Sequence, residues 1–120
     1  MKFVCAGFPK TGTKSASNAL GQLGFTVCDF IETQEFLSPA WESYINGDST
    51  IEEVVSEYDR LGFDTNQDVP GNFLWEKLYR SLPTRTKVIL TVRDNDQVWW
   101  DSWLRFIQQE VGRASFYGLN

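Results

Sequence analysis

Histidine is absent from the 120 residues of this chain. That excludes a Ser-His-Asp triad, a Cys-His pair, a His-Glu-x-x-His zinc site and any imidazole general base. Cysteine is nearly absent too. Cys5 and Cys28 are the only two, and both sit in short apolar runs, Phe3-Val4-Cys5-Ala6 and Phe25-Thr26-Val27-Cys28. Two thiols are too few for a disulfide framework and lack metal-site spacing, so both are expected buried and reduced. Positive charge is in the minority, with 11 basic against 16 acidic residues and a net charge of −5. The balance argues against a broad nucleic-acid or anionic-membrane surface and leaves room only for a local basic pocket. No apolar run approaches the ~18 residues of a membrane span. Met1-Lys2 leads straight into a strand-like stretch rather than an apolar leader. A soluble, cytoplasmic chain is expected, with no membrane or nucleic-acid partner.

What is present is an ordinary core-forming composition, 42% hydrophobic and 15% aromatic. Residues 1–120 are read as one domain without repeats or low-complexity tracts. Lys2–Gly7 is a short, mostly apolar run ended by glycine, and predicts a buried parallel strand. Gly7–Thr13 is a loop. Lys14–Leu23 carries Ala16, Ala19, Leu20 and Leu23 at helical spacing, with Gly24 as its stop. Phe25–Cys28 predicts a second strand and Pro39–Tyr44 a short helix. Ser49-Thr50-Ile51-Glu52 reads as a capping box, Ser49 with Glu52, opening a helix to about Leu61. Phe63–Val69 is a polar, weak strand candidate. Asn72–Leu82 is helical and stopped by Pro83. Lys87–Val92 reads as the clearest buried strand. Asp94 or Asn95 caps a last helix to about Val111, with Trp100, Trp103/Leu104, Ile107 and Val111 as its apolar stripe. The alternation implies right-handed crossovers and an α/β fold of three layers, a mostly parallel sheet with helices on both faces. Ligands of such sheets bind at the carboxyl ends of the strands, where the loops after Gly7, Val69 and Val92 fall.

The segment from Gly7 to Ser15 (Gly-Phe-Pro-Lys-Thr-Gly-Thr-Lys-Ser) follows a strand and opens a helix. Glycine lets backbone approach a ligand, successive N–H groups point inward, and the helix start adds partial positive charge. Lys10, Thr11, Thr13, Lys14 and Ser15 add charge-assisted donors, at about 1.5–3 kcal/mol each. The nucleoside-triphosphate form of such a loop is G-x-x-x-x-G-K-[ST]. Gly7 and Gly12 keep that spacing, but Thr13 precedes Lys14 and Ser15. A one-residue shift turns the lysine by about 100° around the helix start. No carboxylate closes the Lys87–Val92 strand to hold magnesium, and Arg93 stands there instead.

Phe8-Pro9-Lys10-Thr11-Gly12-Thr13 resembles the 5′-phosphosulfate loop of sulfotransferases, an aromatic followed by Pro-Lys-Ser/Thr-Gly-Thr. Lys87–Trp103 and Asn72–Leu78 are similar to a divergent, P-loop sulfotransferase-like branch, so the likeness runs over about residues 2 to 105. The resemblance implies a P-loop NTPase-type fold and 3′-phosphoadenosine 5′-phosphosulfate as sulfuryl donor, with no metal required. It implies that Pro9, Lys10, Thr11, Gly12, Thr13, Lys14 and Ser15 hold the 5′ end, Lys10 also stabilising charge on the leaving phosphate. It assigns Arg93 and Ser102 to the 3′-phosphate, with eight residues between them, one more than many members have. A guanidinium fork suits a phosphate dianion. A helix-start salt bridge from Arg93 to Asp96 or Asp101 is the plainer alternative.

Members carry a His-x-Pro at the end of a central strand, and Asp68-Val69-Pro70 stands at the matching place. Asp68 is the candidate general base, with a pKa raised by burial; capping the helix from Asn72, or bonding backbone in the Pro-Gly turn, is the alternative. Trp100 and Trp103 are expected in the core, with Trp99 open to either role. Glu52, Glu53, Glu57 and Asp59 read as a solvated helix face. Domains of the family are longer and close the 3′-phosphate site with a later Gly- and basic-rich segment that Gly112–Asn120 does not supply. The chain is therefore expected to be the N-terminal portion of such a domain, its sheet incomplete on the C-terminal side. The exposed edge and apolar surface then await a missing half or a second copy. The acceptor is expected to be a small hydroxyl or amine compound. The competing readings are a small-molecule kinase, set apart by magnesium dependence, and a non-catalytic nucleotide-binding remnant.

Overall fold

Short apolar runs between polar loops give this chain short strands, and the computed structural model describes residues 1–116. β1 (Phe3–Cys5) pairs in parallel with β4 (Lys87–Ile89), Phe3 opposite Lys87 and Cys5 opposite Ile89. β2 (Val27–Cys28) pairs in parallel with β3 (Thr65–Asn66). These are two small parallel sheets rather than the single sheet expected, and their common edge shows why. The N–H groups of Lys2 and Phe3 donate to the Asp64 carbonyl at 2.6 and 3.2 Å. Further along, a side chain takes over from the ladder. Asn66 Oδ1 accepts from the Cys5 N–H at 3.1 Å and its Nδ2 donates to the Cys5 carbonyl at 3.0 Å. The strands thus lie in the order β2, β3, β1, β4, with a side-chain amide bridging the middle.

Helix α1 (Thr13–Gln22) follows β1 and ends at Gly24, whose φ of 90° suits a residue without a Cβ. α3 (Ser38–Ile45) packs on α4 (Ile51–Arg60), and α5 (Trp75–Arg80) packs on β1 and α4. The core where these elements meet holds Val4, Cys28, Leu37, Trp41, Val54, Val55, Tyr58 and Leu78. The buried Trp41 indole N–H donates to the Tyr58 hydroxyl at 3.1 Å, which satisfies the polar end of both rings. Cys5 and Cys28 are buried and unbridged. Burial pushes the Cys28 thiol up to about 11.

The segment after β2, for which no element was expected, is helical, α2 (Phe30–Glu32) followed by a π-helical turn over Thr33–Leu37. Asp29 starts it by accepting from the Phe30 N–H, and only Thr33 and Leu37 of the turn are buried. Several expectations are corrected. The capping box opening α4 belongs to Thr50 and Glu53, one residue later than Ser49 and Glu52. β4 is not buried. It pairs on one side only, and Leu90 and Val92 beyond it are 66% and 68% exposed.

The last helix, α6 (Asp96–Phe116), runs past the expected Val111. Asn95 caps it by accepting from the Val98 N–H at 3.0 Å. Its apolar stripe faces outward, with Leu104, Ile107 and Val111 exposed and Trp100 47% exposed rather than in the core. Trp103 is half-buried. α6 shares no extended packing face with another described element. The radius of gyration, 15.4 Å, accordingly exceeds the about 14 Å of a compact chain this long. Among the described residues no helix is long and apolar enough to cross a membrane. Of the C-terminal segment Gly112–Asn120, residues 117–120 lie outside the described residues.

Candidate active site

The loop between β1 and α1 is shaped by what its carbonyls are bonded to. Gly7 lies against Thr91, and a Cβ there would collide with the Thr91 hydroxyl and come within 2.9 Å of its carbonyl oxygen. The Thr11 hydroxyl donates to the Phe8 carbonyl and pairs with Thr91 Oγ1 at 2.7 Å. Asn72 Nδ2 donates to the Gly7 carbonyl at 3.2 Å and Gln67 Nε2 to the Thr13 carbonyl at 3.3 Å. From the far side, the Trp99 indole N–H donates to the Pro9 carbonyl at 2.8 Å and Arg93 Nη1 to the Lys10 carbonyl at 3.3 Å.

These bonds draw the carbonyls outward. Lys10 and Gly12 have φ of 66° and 90°, and such left-handed residues turn successive N–H groups to one side. No hydrogen bond among the described residues uses the N–H of any residue from Lys10 to Ser15. Gly12, the N-cap of α1, brings no side chain to cap them. A run of open N–H groups at the start of a helix is an anion cradle.

One cavity of about 460 Å³ is lined by Pro9, Lys10, Thr13, Lys14 and Asp68, with Trp103 and Phe106 of α6 opposite. The Lys10 ammonium lies 5.2 Å from the centroid of the Phe106 ring. Lys14 pairs with Asp29 Oδ2 at 3.2 Å, and the Ser17 hydroxyl donates to the same oxygen at 2.9 Å. Asp68 has a left-handed φ of 68°, and its Oδ1 accepts from the Val69 N–H at 2.9 Å. Burial pushes its carboxyl above the usual carboxylate range. The Asp29 charge acts in the same direction, while the Val69 N–H and Lys14 oppose it. The Asp68 carboxylate thus bonds local backbone, one of the two alternatives to a base role, whereas capping of the next helix by its side chain is not seen: its backbone carbonyl accepts from the Asn72 N–H.

A neighbouring cavity of about 570 Å³ holds Arg93 and Thr11 between Phe8, Val92, Trp99 and Trp100. Arg93 is exposed and, among the described residues, makes no ion pair with Asp96 or Asp101. The structure therefore brings Pro9, Lys10, Thr13, Lys14 and Asp68 to one cavity and ties Arg93 to the back of the loop. Gly12 shapes the loop, and Ser15 is exposed on the first turn of α1. Ser102 is buried on α6 and lines neither cavity. The Thr11 hydroxyl is engaged inside the loop rather than presented to a ligand.

Sequence reasoning missed the supports of this site. Gln67 and Asn72 are fully buried amides that hold loop carbonyls, and their polarity was the available signal. Phe30 and Phe106 also line the Lys10 cavity. No motif announces either of them.

A loop of open N–H groups at the carboxyl end of a parallel strand, with two lysines and a half-buried carboxylate in one cavity, belongs to a protein of mixed helices and small parallel sheets, compatible with an α/β fold. The family model described as the sulfotransferase domain matches residues 2–119. The chain belongs to that family, and the match continues beyond residue 105, where the motif likeness ends. A search of curated proteins returns no match to this chain.

Proposed function

We propose that this chain binds 3′-phosphoadenosine 5′-phosphosulfate and transfers its sulfuryl group to a small hydroxyl or amine acceptor, without a metal. One observation carries the reading. In a loop whose N–H groups from Lys10 to Ser15 are open, Lys10, Thr13 and Lys14 line the cavity that also holds Asp68. These residues fit a phosphosulfate, since amide donors and an ammonium are the chemistry such an anion needs. The loop amides and Lys14 hold the 5′ end. The Lys10 ammonium stabilises charge growing on the leaving phosphate. Asp68 takes the acceptor's proton as the new S–O or S–N bond forms. Arg93 is assigned to the 3′-phosphate by its free guanidinium edge, and Ser102 joins it on sequence position alone. The chain acts as one sulfotransferase-like, P-loop-type domain of three layers, and its placement is cytoplasmic. A kinase reading finds no support in the family match.

Calorimetric titration with 3′-phosphoadenosine 5′-phosphate without magnesium, beside ATP with magnesium, tests this. Binding of the bisphosphate, lost in Lys10→Ala and Arg93→Ala, is expected. Preference for magnesium-ATP, or binding of neither, overturns the reading.

A further inference from the structure

We propose that Trp99 is a positioning residue of the phosphate loop, holding it in the form that receives an anion through its indole N–H rather than through its ring alone. The inference rests on the loop being the anion site. Three observations support it. The indole N–H donates to the Pro9 carbonyl at 2.8 Å, from a residue ninety positions away in sequence. In a trans peptide the carbonyl and the following N–H point in opposite directions. Fixing the Pro9 carbonyl on the Trp99 indole therefore aims the Lys10 N–H away from that indole, and the Lys10 carbonyl on Arg93 aims the Thr11 N–H away from the guanidinium. Lys10 has a left-handed φ, an unfavourable state for a residue with a Cβ that persists only where surroundings enforce it.

The indole is itself held in place. Its ring stacks on Trp103 with centroids 6.2 Å apart and planes 10° apart, and meets Phe8 of the loop at 5.9 Å. Trp103 in turn meets Phe106 at 5.7 Å, the ring over which Lys10 lies. A row of aromatic rings on α6 thus reaches both the backbone of the loop and the ammonium of its lysine. Asn95, which caps α6, and Arg93 lie just before it, so the β4–α6 connection sets where this row stands.

The test uses the full chain and Trp99→Phe, which keeps a stacking ring and removes the N–H. Trp75→Phe is the comparator, since Trp75 lines neither cavity and its indole donates to no described residue. Hydrogen exchange of the loop peptide over 6–16 is measured with and without inorganic sulfate, and bisphosphate affinity by calorimetry. In Trp99→Phe, loop exchange should rise while that of α4 stays unchanged. Affinity should fall about tenfold, the loss expected for one well-placed hydrogen bond. Trp75→Phe should change neither. Equal behaviour of the two variants overturns the proposal, as does faster loop exchange at unchanged affinity.

If the unmutated protein ignores the bisphosphate, the donor reading fails separately, and the sulfate arm still decides on Trp99. Sulfate protection of the loop that W99F abolishes supports the proposal, and protection that is equal or absent in both proteins overturns it. Should W99F not fold, the Trp99 indole resonance in the unmutated protein replaces it. A protected indole N–H that shifts on adding sulfate is expected, and a freely exchanging one overturns the assignment.

Discussion

Asp68 stands in a cavity with two lysines yet has its carboxyl pushed up, because burial outweighs the Lys14 charge and Asp29 adds a like charge. The shift has a definite sign for both rate and stability. A base must be ionised, so the acid limb of turnover should lie above where an ordinary carboxylate would put it. The folded state holds this proton more tightly than the unfolded one, so the Asp68 contribution favours folding at low pH. It is lost as pH rises from 3.8, the ordinary value, through the raised one. Asp68→Asn should therefore lower turnover at least ~100-fold, abolish the acid limb, and leave bisphosphate affinity unchanged. Its melting temperature at pH 7 should stay the same or rise, since a penalised charge is removed. Steady-state rates across pH with a thermal melt check this; unchanged turnover would remove Asp68 from the mechanism. At this scale the sequence was informative where a motif concentrates chemistry. Lys10, singled out from Pro-Lys-Thr-Gly-Thr, and Asp68, from its place before Val69-Pro70, do line one cavity. Ser102 was not legible, because a serine on a helix has no pattern that says which way it faces. Trp99 resisted assignment for the same reason: its role is a bond to the Pro9 carbonyl, which side-chain periodicity does not encode.

At the scale of elements, helices were more legible than strands, and the reason is the hydrogen bonding. α4 has its own local signals, a cap and apolar residues at Val54, Val55 and Tyr58, and its bounds match expectation closely. β3 is only Thr65–Asn66; the Gln67 N–H still donates to the Cys28 carbonyl at 2.8 Å, and its side-chain amide turns to the Thr13 carbonyl. Polarity made Phe63–Val69 a poor strand candidate, and that same polarity is what holds the cradle open. β4 misled in the other direction. Its apolar run looked like a central strand, but its pairing is one-sided and its side chains are largely exposed. The cap of α4 offers a sharp check. Thr50 accepts from the Glu53 N–H at 3.3 Å while Glu53 Oε2 accepts from the Thr50 N–H at 2.9 Å. Ser49 Oγ is buried with no partner among the described residues. Thr50→Ala should cost about 1 kcal/mol. Ser49→Ala should cost nothing measurable or slightly stabilise, because an unsatisfied hydroxyl is removed. Urea unfolding of both variants distinguishes the two registers, and an equal loss in Ser49→Ala would return the cap to Ser49.

At the scale of the whole molecule, the feature that most needs an outcome is the apolar surface along β4 and α6. Leu90, Val92, Trp100, Ile107 and Val111 are all exposed, and α6 stands clear of an extended packing face. Exposed apolar residues scattered singly are ordinary, but a run of them along adjoining elements favours association. The net charge of −5 works against it by mutual repulsion. The two terms respond oppositely to salt. Screening weakens repulsion within a Debye length of about 8 Å at physiological ionic strength, and sulfate strengthens apolar burial. Self-association should therefore rise with protein concentration and rise further in ammonium sulfate, whereas association through ion pairs would weaken. Ile107→Lys with Val111→Lys breaks the apolar surface of α6 at positions that line neither cavity, and should return the protein to monomer. Bisphosphate affinity should be unchanged, because neither position touches the loop. Sedimentation velocity over a concentration series decides the matter: a species that stays monomeric throughout, with and without sulfate, would mean that this surface is tolerated in water and that the −5 charge suffices to keep copies apart.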